Sequence, residues 1–379
     1  MQSGRLLISK VGHQPGEGLR SSSTDGQQIL VDGLSNRLPA AFGQSADIGT
    51  ERDSAVKDGH SSHPWTRAKL GPVELFITTE PQQGAEYSGL LSLARCAEDA
   101  GFEGFFRSDH YQHLGEVAPA SSPTDSWISL AGLARETTRI RLGTLVTSAT
   151  FRHPGPLAIT VANVDQMSGG RVEIGLGTGW YEAEHTSYGI PYPSINERFD
   201  KLAEQLAIIT GLWTSEGPYS FNGKHYTLTD SPALAKPVQS PHPPVIVGGT
   251  GKRRTPDLAA RFANEYNLPF GTPKDAAGQY QRVAEACTSI GRDPRSLRLS
   301  AVLPVCVGPD EATVARRAAA TGFDPAVLRE IGVAGTPAEA VDALGRWGEA
   351  GARRVYLQVL DMTDFDHVEY IASQVARQR

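Results

Sequence analysis

Three short runs in this chain set chemistry-bearing residues at the ends of apolar segments. Asp109-His110 closes GFEGFFRS (101–108). Gly177-Thr178-Gly179-Trp180 follows the apolar run Val172 to Leu176. Gly248-Gly249-Thr250-Gly251-Lys252-Arg253 follows Pro244 to Val247. Histidine titrates near neutrality, so His110 could protonate a substrate or steady an anionic intermediate, with Asp109 as a ligand contact. Glycine allows close backbone approach, which would let a flat ring lie along Gly177, Thr178 and Gly179. Free N–H groups at a helix start, with Lys252 and Arg253 beside them, suit a phosphate held by Gly248, Gly249, Thr250 and Gly251. Each run also has a plainer reading: a loop hydrogen bond for His110, tight turns for the glycines, solvated charge for Lys252 and Arg253.

Other residues are more ambiguous. Glu80 ends the first apolar strand and could be a second acid or a salt-bridge partner. Trp180 and Tyr181 could pack on a ring or cover the segment that follows; His185 and Tyr188 could face a substrate or pin that segment. Ser168-Gly169-Gly170-Arg171 reads as a helix stop with Arg171 in a salt bridge, a matter of stability. His110, His113 and Asp109 gather no further ligands, so no metal is expected.

The chain is 379 residues long, 39% hydrophobic and 21% charged, and carries a net charge of −6. That balance favours neither nucleic acid nor an anionic membrane as partner. Cys96, Cys287 and Cys306 are widely spaced and fit neither a zinc pattern nor a disulfide framework, which points to a cytoplasmic setting. No run has the length of a membrane helix, and MQSGRLLISK is too short an apolar stretch for a secretory signal. Residues 1–70, with SSSTDGQQ and KDGHSSHP, lack sustained periodicity. They are expected to be a disordered N-terminal extension, or the product of an upstream start codon.

From residue 71 to 379 the pattern is α/β. Apolar runs at 73–78, 101–108, 140–146, 172–176, 244–249, 265–270, 297–307 and 352–360 predict eight strands, with helical periodicity between them. Alternating aromatics around Asn222-Gly223, within 214–243, predict a β-hairpin. Eight strands alternating with helices predict a (β/α)8 barrel with insertions at its C-terminal face, rather than a doubly wound sheet.

Six ordered motifs then carry a resemblance: RSDH (107–110), LGT-LV (142–146), FRHP (151–154), DQMSGGR (165–171), GLGTGWYEAEH (175–185) and VIVGGTG (245–251). Over roughly residues 73–375 the chain resembles the luciferase-like monooxygenase superfamily, whose barrels bind FMN or the deazaflavin coenzyme F-420. With FITTEPQQGAEY (76–87) included, it is most similar to the F-420-dependent branch. The resemblance implies a non-proline cis peptide at Leu145–Val146, next to Thr147, that supports the coenzyme ring. It also implies a histidine at position 110 close to that ring, and a homodimer. Related sugar-phosphate dehydrogenases have an acid where this chain has Trp180, which counts against that activity.

The first functional expectation is an oxidoreductase moving hydride between coenzyme F-420 and a small organic substrate, with His110 as proton source. The alternative is an FMN-dependent monooxygenase of the alkanesulfonate or alkane type, fed by a separate reductase. The third is a flavin-binding barrel without turnover.

Overall fold

The computed structural model describes residues 73–114 and 124–378, so the expected extension at 1–70 lies outside the described residues. The strands are β1 (Glu74–Thr79), β2 (Gly104–Arg107), β3 (Arg141–Thr144), β4 (Thr147–Ser148), β5 (Val172–Gly177), β6 (Tyr219–Asn222), β7 (Thr227–Ser231), β8 (Val245–Gly248), β9 (Glu265–Pro269), β10 (Arg298–Val307), β11 (Val333–Gly335) and β12 (Arg354–Val359). The helices are α1 (Tyr87–Asp99), α2 (Ser126–Glu136), α3 (Pro154–Ser168), α4 (Glu182–Ser187), α5 (Ile195–Thr214), α6 (Arg254–Phe262), α7 (Pro273–Ser289), α8 (Glu311–Thr321), α9 (Pro325–Ile331), α10 (Pro337–Glu349) and α11 (Phe365–Gln374).

Strands β1, β2, β3, β5, β8, β9, β10 and β12 pair in parallel in that order, and β12 pairs back to β1. The sheet therefore closes, and the expected (β/α)8 barrel is the observed one. β6 and β7 form the expected antiparallel hairpin, and no helix among the described residues is long and apolar enough to cross a membrane.

The strands show why they close. Side chains alternate faces along a strand. Leu75, Ile77, Phe105, Val245, Val247, Leu303, Val355 and Leu357 pack outward in the large core shared with the helices. Their neighbours Phe76, Phe106, Ile246, Val302 and Tyr356 form a separate inner cluster. Inside, the rings of Phe76, Phe106 and Tyr356 lie 5.0 to 5.7 Å apart in tilted and edge contacts.

Below this aromatic layer, at the N-terminal ends of the strands, sits a buried ion cluster. Arg354 Nη1 donates to Glu173 and Glu265 at 2.8 Å each, its Nε donates to Glu74 at 3.1 Å, and its guanidinium lies 3.7 Å over the Phe76 ring. Arg141 adds a second pairing to Glu173. Burial alone would favour loss of the Arg354 charge, but Glu265, Tyr356 and Glu173 outweigh it and hold the group charged. Arg171 behaves differently from expectation: instead of a salt bridge it donates to the carbonyls of Ala134, Thr137 and Ile140, tying α2 to the start of β5. Gly169, left-handed at φ 69°, ends α3 as the sequence implies.

Two stability outcomes follow. Arg354→Met leaves Glu173 and Glu265 without their shared cation, and urea denaturation should show a loss of about 3–5 kcal/mol. His367, on α11, accepts the N–H of Val307 at 2.9 Å and is pushed down from 6.5 to about 4 by burial, helped by Arg317. Its folded pKa lies below its unfolded one, so its contribution is complete above pH 6.5 and is lost as pH falls towards 4. Between pH 7 and pH 5 the wild type should lose about 2 kcal/mol more than His367→Gln.

Candidate functional site

The C-terminal ends of the strands form the mouth of the barrel, and all three sequence runs meet there. The strand expected at 140–146 stops at Thr144, and the bond Leu145–Val146 is cis, at the position the resemblance implied. Pairing to β5 then resumes out of step. Gly143 faces Glu173 and Thr147 faces Leu176, so four positions on one strand are matched by three on the other. This is a bulge, and it re-aims the side chains at the rim.

Val146 is the side chain so re-aimed. A Cβ on Gly177 would lie 2.9 Å from Val146 Cγ2, one on Gly248 would lie 3.2 Å from Val146 Cγ1, and one on Gly175 would collide with the Thr144 carbonyl. On the side where a side chain would stand, Gly177 is thus packed against the protein's own valine. Gly179 has φ 76°, and a Cβ there would collide with Ser148 Oγ. These glycines are required by the chain's own packing, and Leu145 and Val146 beside them are half-buried, with Leu145 packed on the inner cluster.

Asp109 is tied into the protein around it. Its side chain is buried: Arg152 donates to both oxygens, at 2.5 and 3.4 Å, and Thr147 Oγ1 donates at 2.8 Å. Trp127 Nε1 completes the Thr147 hydroxyl at 3.3 Å. Arg152 continues to Asp125, whose carboxylate caps α2 by accepting from the N–H groups of Trp127 and Ile128. Burial would lower the Arg152 pKa, but Asp109 and Asp125 raise it above the ordinary arginine value. Asp109 therefore anchors the bulge to β2 and, through Arg152 and Asp125, to α2.

His110, by contrast, reaches the mouth. Its Nδ1 lies 2.9 Å from Glu184 Oε1, and the other oxygen of Glu184 accepts the N–H of Tyr111 at 2.9 Å. A carboxylate can only accept, so Nδ1 carries the hydrogen and the lone pair of the neutral ring sits on Nε2. Glu184 is buried on α4, and sequence reasoning missed it. The available signal was the EAEH run itself: a carboxylate four residues after Trp180, in a six-residue helix opened by the glycine turn.

His185, next in sequence, pins the loop, with Nδ1 on the Tyr181 carbonyl at 2.7 Å and Nε2 on Thr150 Oγ1 at 2.6 Å. Glu80 accepts from Gln82 at 2.9 Å and from Gln358 at 2.5 Å. No group of three or more His, Cys, Asp or Glu among the described residues could hold a metal.

The turn after β8 leaves the start of a helix uncapped. The carbonyls of Gly249 and Gly251 are held from behind by Tyr266 Oη at 2.6 Å and Gln279 Nε2 at 2.8 Å. A Cβ on Gly251 would lie 2.6 Å from Thr255 Oγ1. No side chain caps the start of α6, while Thr250, Lys252 and Arg253 are exposed there. An uncapped helix start beside two cations is a donor set that could hold a phosphate. Gly248 sits beneath it, at the edge of Val146.

Gly177→Ala should destabilise the protein by about 1–3 kcal/mol, because the new methyl meets Val146. Adding Val146→Ala should return most of that loss in urea denaturation; a double variant showing the plain sum of the two single losses would remove the proposed contact.

Residues 73–330 match the family model described as luciferase-like monooxygenase. An F420-dependent glucose-6-phosphate dehydrogenase of Microbacterium testaceum is 38% identical over 186 residues, covering 48% of this chain and 52% of that protein. An F420-dependent hydroxymycolic acid dehydrogenase of Mycobacterium tuberculosis is 34% identical over 290 residues, covering 74% of this chain and 76% of that one. The chain thus spans about half the length of the first curated relatives it matches. Among solved structures, the coenzyme F420 dependent tetrahydromethanopterin reductase of Methanopyrus kandleri superposes with a TM-score of 0.70 at 20% identity, covering 81% of this chain and 99% of that one, a likeness of fold.

Proposed function

The chain belongs to the luciferase-like monooxygenase family, and from that premise we propose that it is an oxidoreductase that uses coenzyme F-420 in hydride exchange with a small organic substrate. The observation that carries this reading is the register bulge between Gly143 and Thr147, which stands on the barrel rim between the uncapped turn at Gly249–Arg253 and His110 with its Glu184 partner. Leu145 and Val146 would back the coenzyme ring. The N–H groups of residues 250–253, with Lys252 and Arg253, would hold its phosphate. When bound, the deazaflavin supplies a carbon that takes up or gives back a hydride and reacts poorly with oxygen.

The chain's own contribution is a proton and a geometry. Glu184 holds the Nδ1 hydrogen of His110, so Nε2 is the atom that accepts a proton from a substrate hydroxyl or returns one to a carbonyl oxygen. Arg152, Asp109 and Thr147 fix the bulge from behind, so the ring support and the histidine are both tied to β2.

A homodimer belongs to the same proposal. Ile128 on α2 and Ile159 on α3, helices that pack against each other, are 77% and 50% exposed and would be covered by a second copy. A cytoplasmic setting is supported by three cysteines that are all free thiols.

Titration of the purified protein with coenzyme F-420 and with FMN tests the reading. Micromolar binding of F-420 is the expected result; binding of FMN alone would replace this reading with the monooxygenase one. His110→Ala should lower turnover by about a hundredfold or more while coenzyme affinity stays within about twofold. Unchanged turnover would remove the histidine's role.

A further inference from the structure

Arg198 carries a buried positive charge in the first turn of α5, with 7% of the residue exposed. Its guanidinium stands 3.8 Å over the Tyr192 ring, and Nη1 donates to the Pro193 carbonyl at 3.1 Å. Nε is enclosed and has no acceptor. Nη2 donates to no group among the described residues. Nε and Nη2 share one edge of the planar group, the edge that meets two oxygens of a carboxylate or a phosphate side by side.

The acids that follow and precede it on α5 are committed to other cations. Glu197 pairs with Lys201 at 3.1 Å. Asp200 pairs with Arg254 and, at 3.2 Å, with Lys224. A guanidinium taken out of water is costly unless a counter-charge and hydrogen bonds come with it. The Tyr192 ring and the Pro193 carbonyl meet part of that need and leave one edge of the fork over. The start of α5, a 20-residue helix, adds its positive end at the same place.

Tyr192 fixes where this edge stands. Its hydroxyl donates to the Trp180 carbonyl at 2.9 Å, and its ring lies 4.7 Å from that of His185. His185 follows Glu184, the partner of His110. Arg198 thus belongs with the segment after β5 that holds the proton site, whereas Lys252 and Arg253 follow β8. Tyr192 and Pro193, which lie against the guanidinium, sit in a run without helix or strand, the kind of backbone that yields to an incoming group.

We propose that Arg198 binds an anionic group of the substrate, a carboxylate or a phosphate ester. Two of its oxygens accept from Nε and Nη2, and the reacting hydroxyl or carbonyl, at the other end of the molecule, lies at His110. Calling the ligand a substrate rests on the preceding reading; the anion site itself stands on the unmatched fork.

Nitrogen-15 NMR of the arginine Nε–H groups tests the site directly. The Arg198 peak, identified by its absence in Arg198→Lys, should shift on titration with 4-bromobenzoate or phenyl phosphate and stay in place with 4-bromobenzamide. In calorimetry, Arg198→Lys, which keeps the charge and loses the fork, should bind the better anion at least about tenfold more weakly than the wild type. The anion that binds more tightly names the substrate's group. Should the variant fail to fold, wild-type crystals soaked with 4-bromobenzoate locate the bromine by its anomalous signal, with the carboxylate expected on Arg198. A peak unmoved by both anions, an amide that moves it as far, an undiminished affinity in Arg198→Lys, or a carboxylate held elsewhere would each overturn the proposal. So would a shift produced by coenzyme F-420 alone, which would give the fork to the coenzyme. A protein that binds coenzyme while Arg198 ignores the anions loses only this proposal. One whose Arg198 answers the anions but that takes no coenzyme loses only the preceding reading.

Discussion

One guanidinium holds the base of this barrel together. Arg354 starts the last strand and reaches acids on β1, β5 and β9, elements separated by much of the chain. Removing these charges from water is costly, and the cost is met only because every partner arrives in the right geometry. The cluster therefore acts as a test of correct closure: a strand slipped in register would leave a buried charge alone. Above it, the rings of Phe76, Phe106 and Tyr356 fill the barrel and give the mouth a solid floor.

On that floor, steric and electrostatic constraints converge on a single bulge. Val146 occupies room made by glycines on β5 and β8, so the rim cannot relax to regular pairing without emptying a packed position. Asp109, Arg152 and Thr147 hold the same bulge from outside. Because Asp109 and His110 are adjacent, the residue that anchors the bulge is joined directly to the histidine proposed as the proton site.

Much of this is legible in the sequence, for identifiable reasons. Buried parallel strands read as short apolar runs, so all eight were recognisable, and the Asn222-Gly223 hairpin and the Gly169 helix stop have local signatures. The cis bond at Leu145–Val146 came from the resemblance alone, since nothing in Leu-Val favours it. What stayed hidden depends on contacts distant in sequence. Glu184 is 74 positions from His110. The acids that meet Arg354 lie on three different strands. The packing of Val146 against the glycines of β5 and the pairing of Asp109 with Arg152 likewise join residues too far apart for any local signature.

The plugged floor also has a consequence for traffic. With ions and rings filling the lower end, the base of the barrel is closed among the described residues, and exchange would run through the mouth. If the coenzyme's anionic end lies over the β8 turn and its ring against Leu145 and Val146, the reactant stacks above it, nearest the solvent. Turnover is then a last-in, first-out process, with the transformed molecule departing before the spent coenzyme can be exchanged.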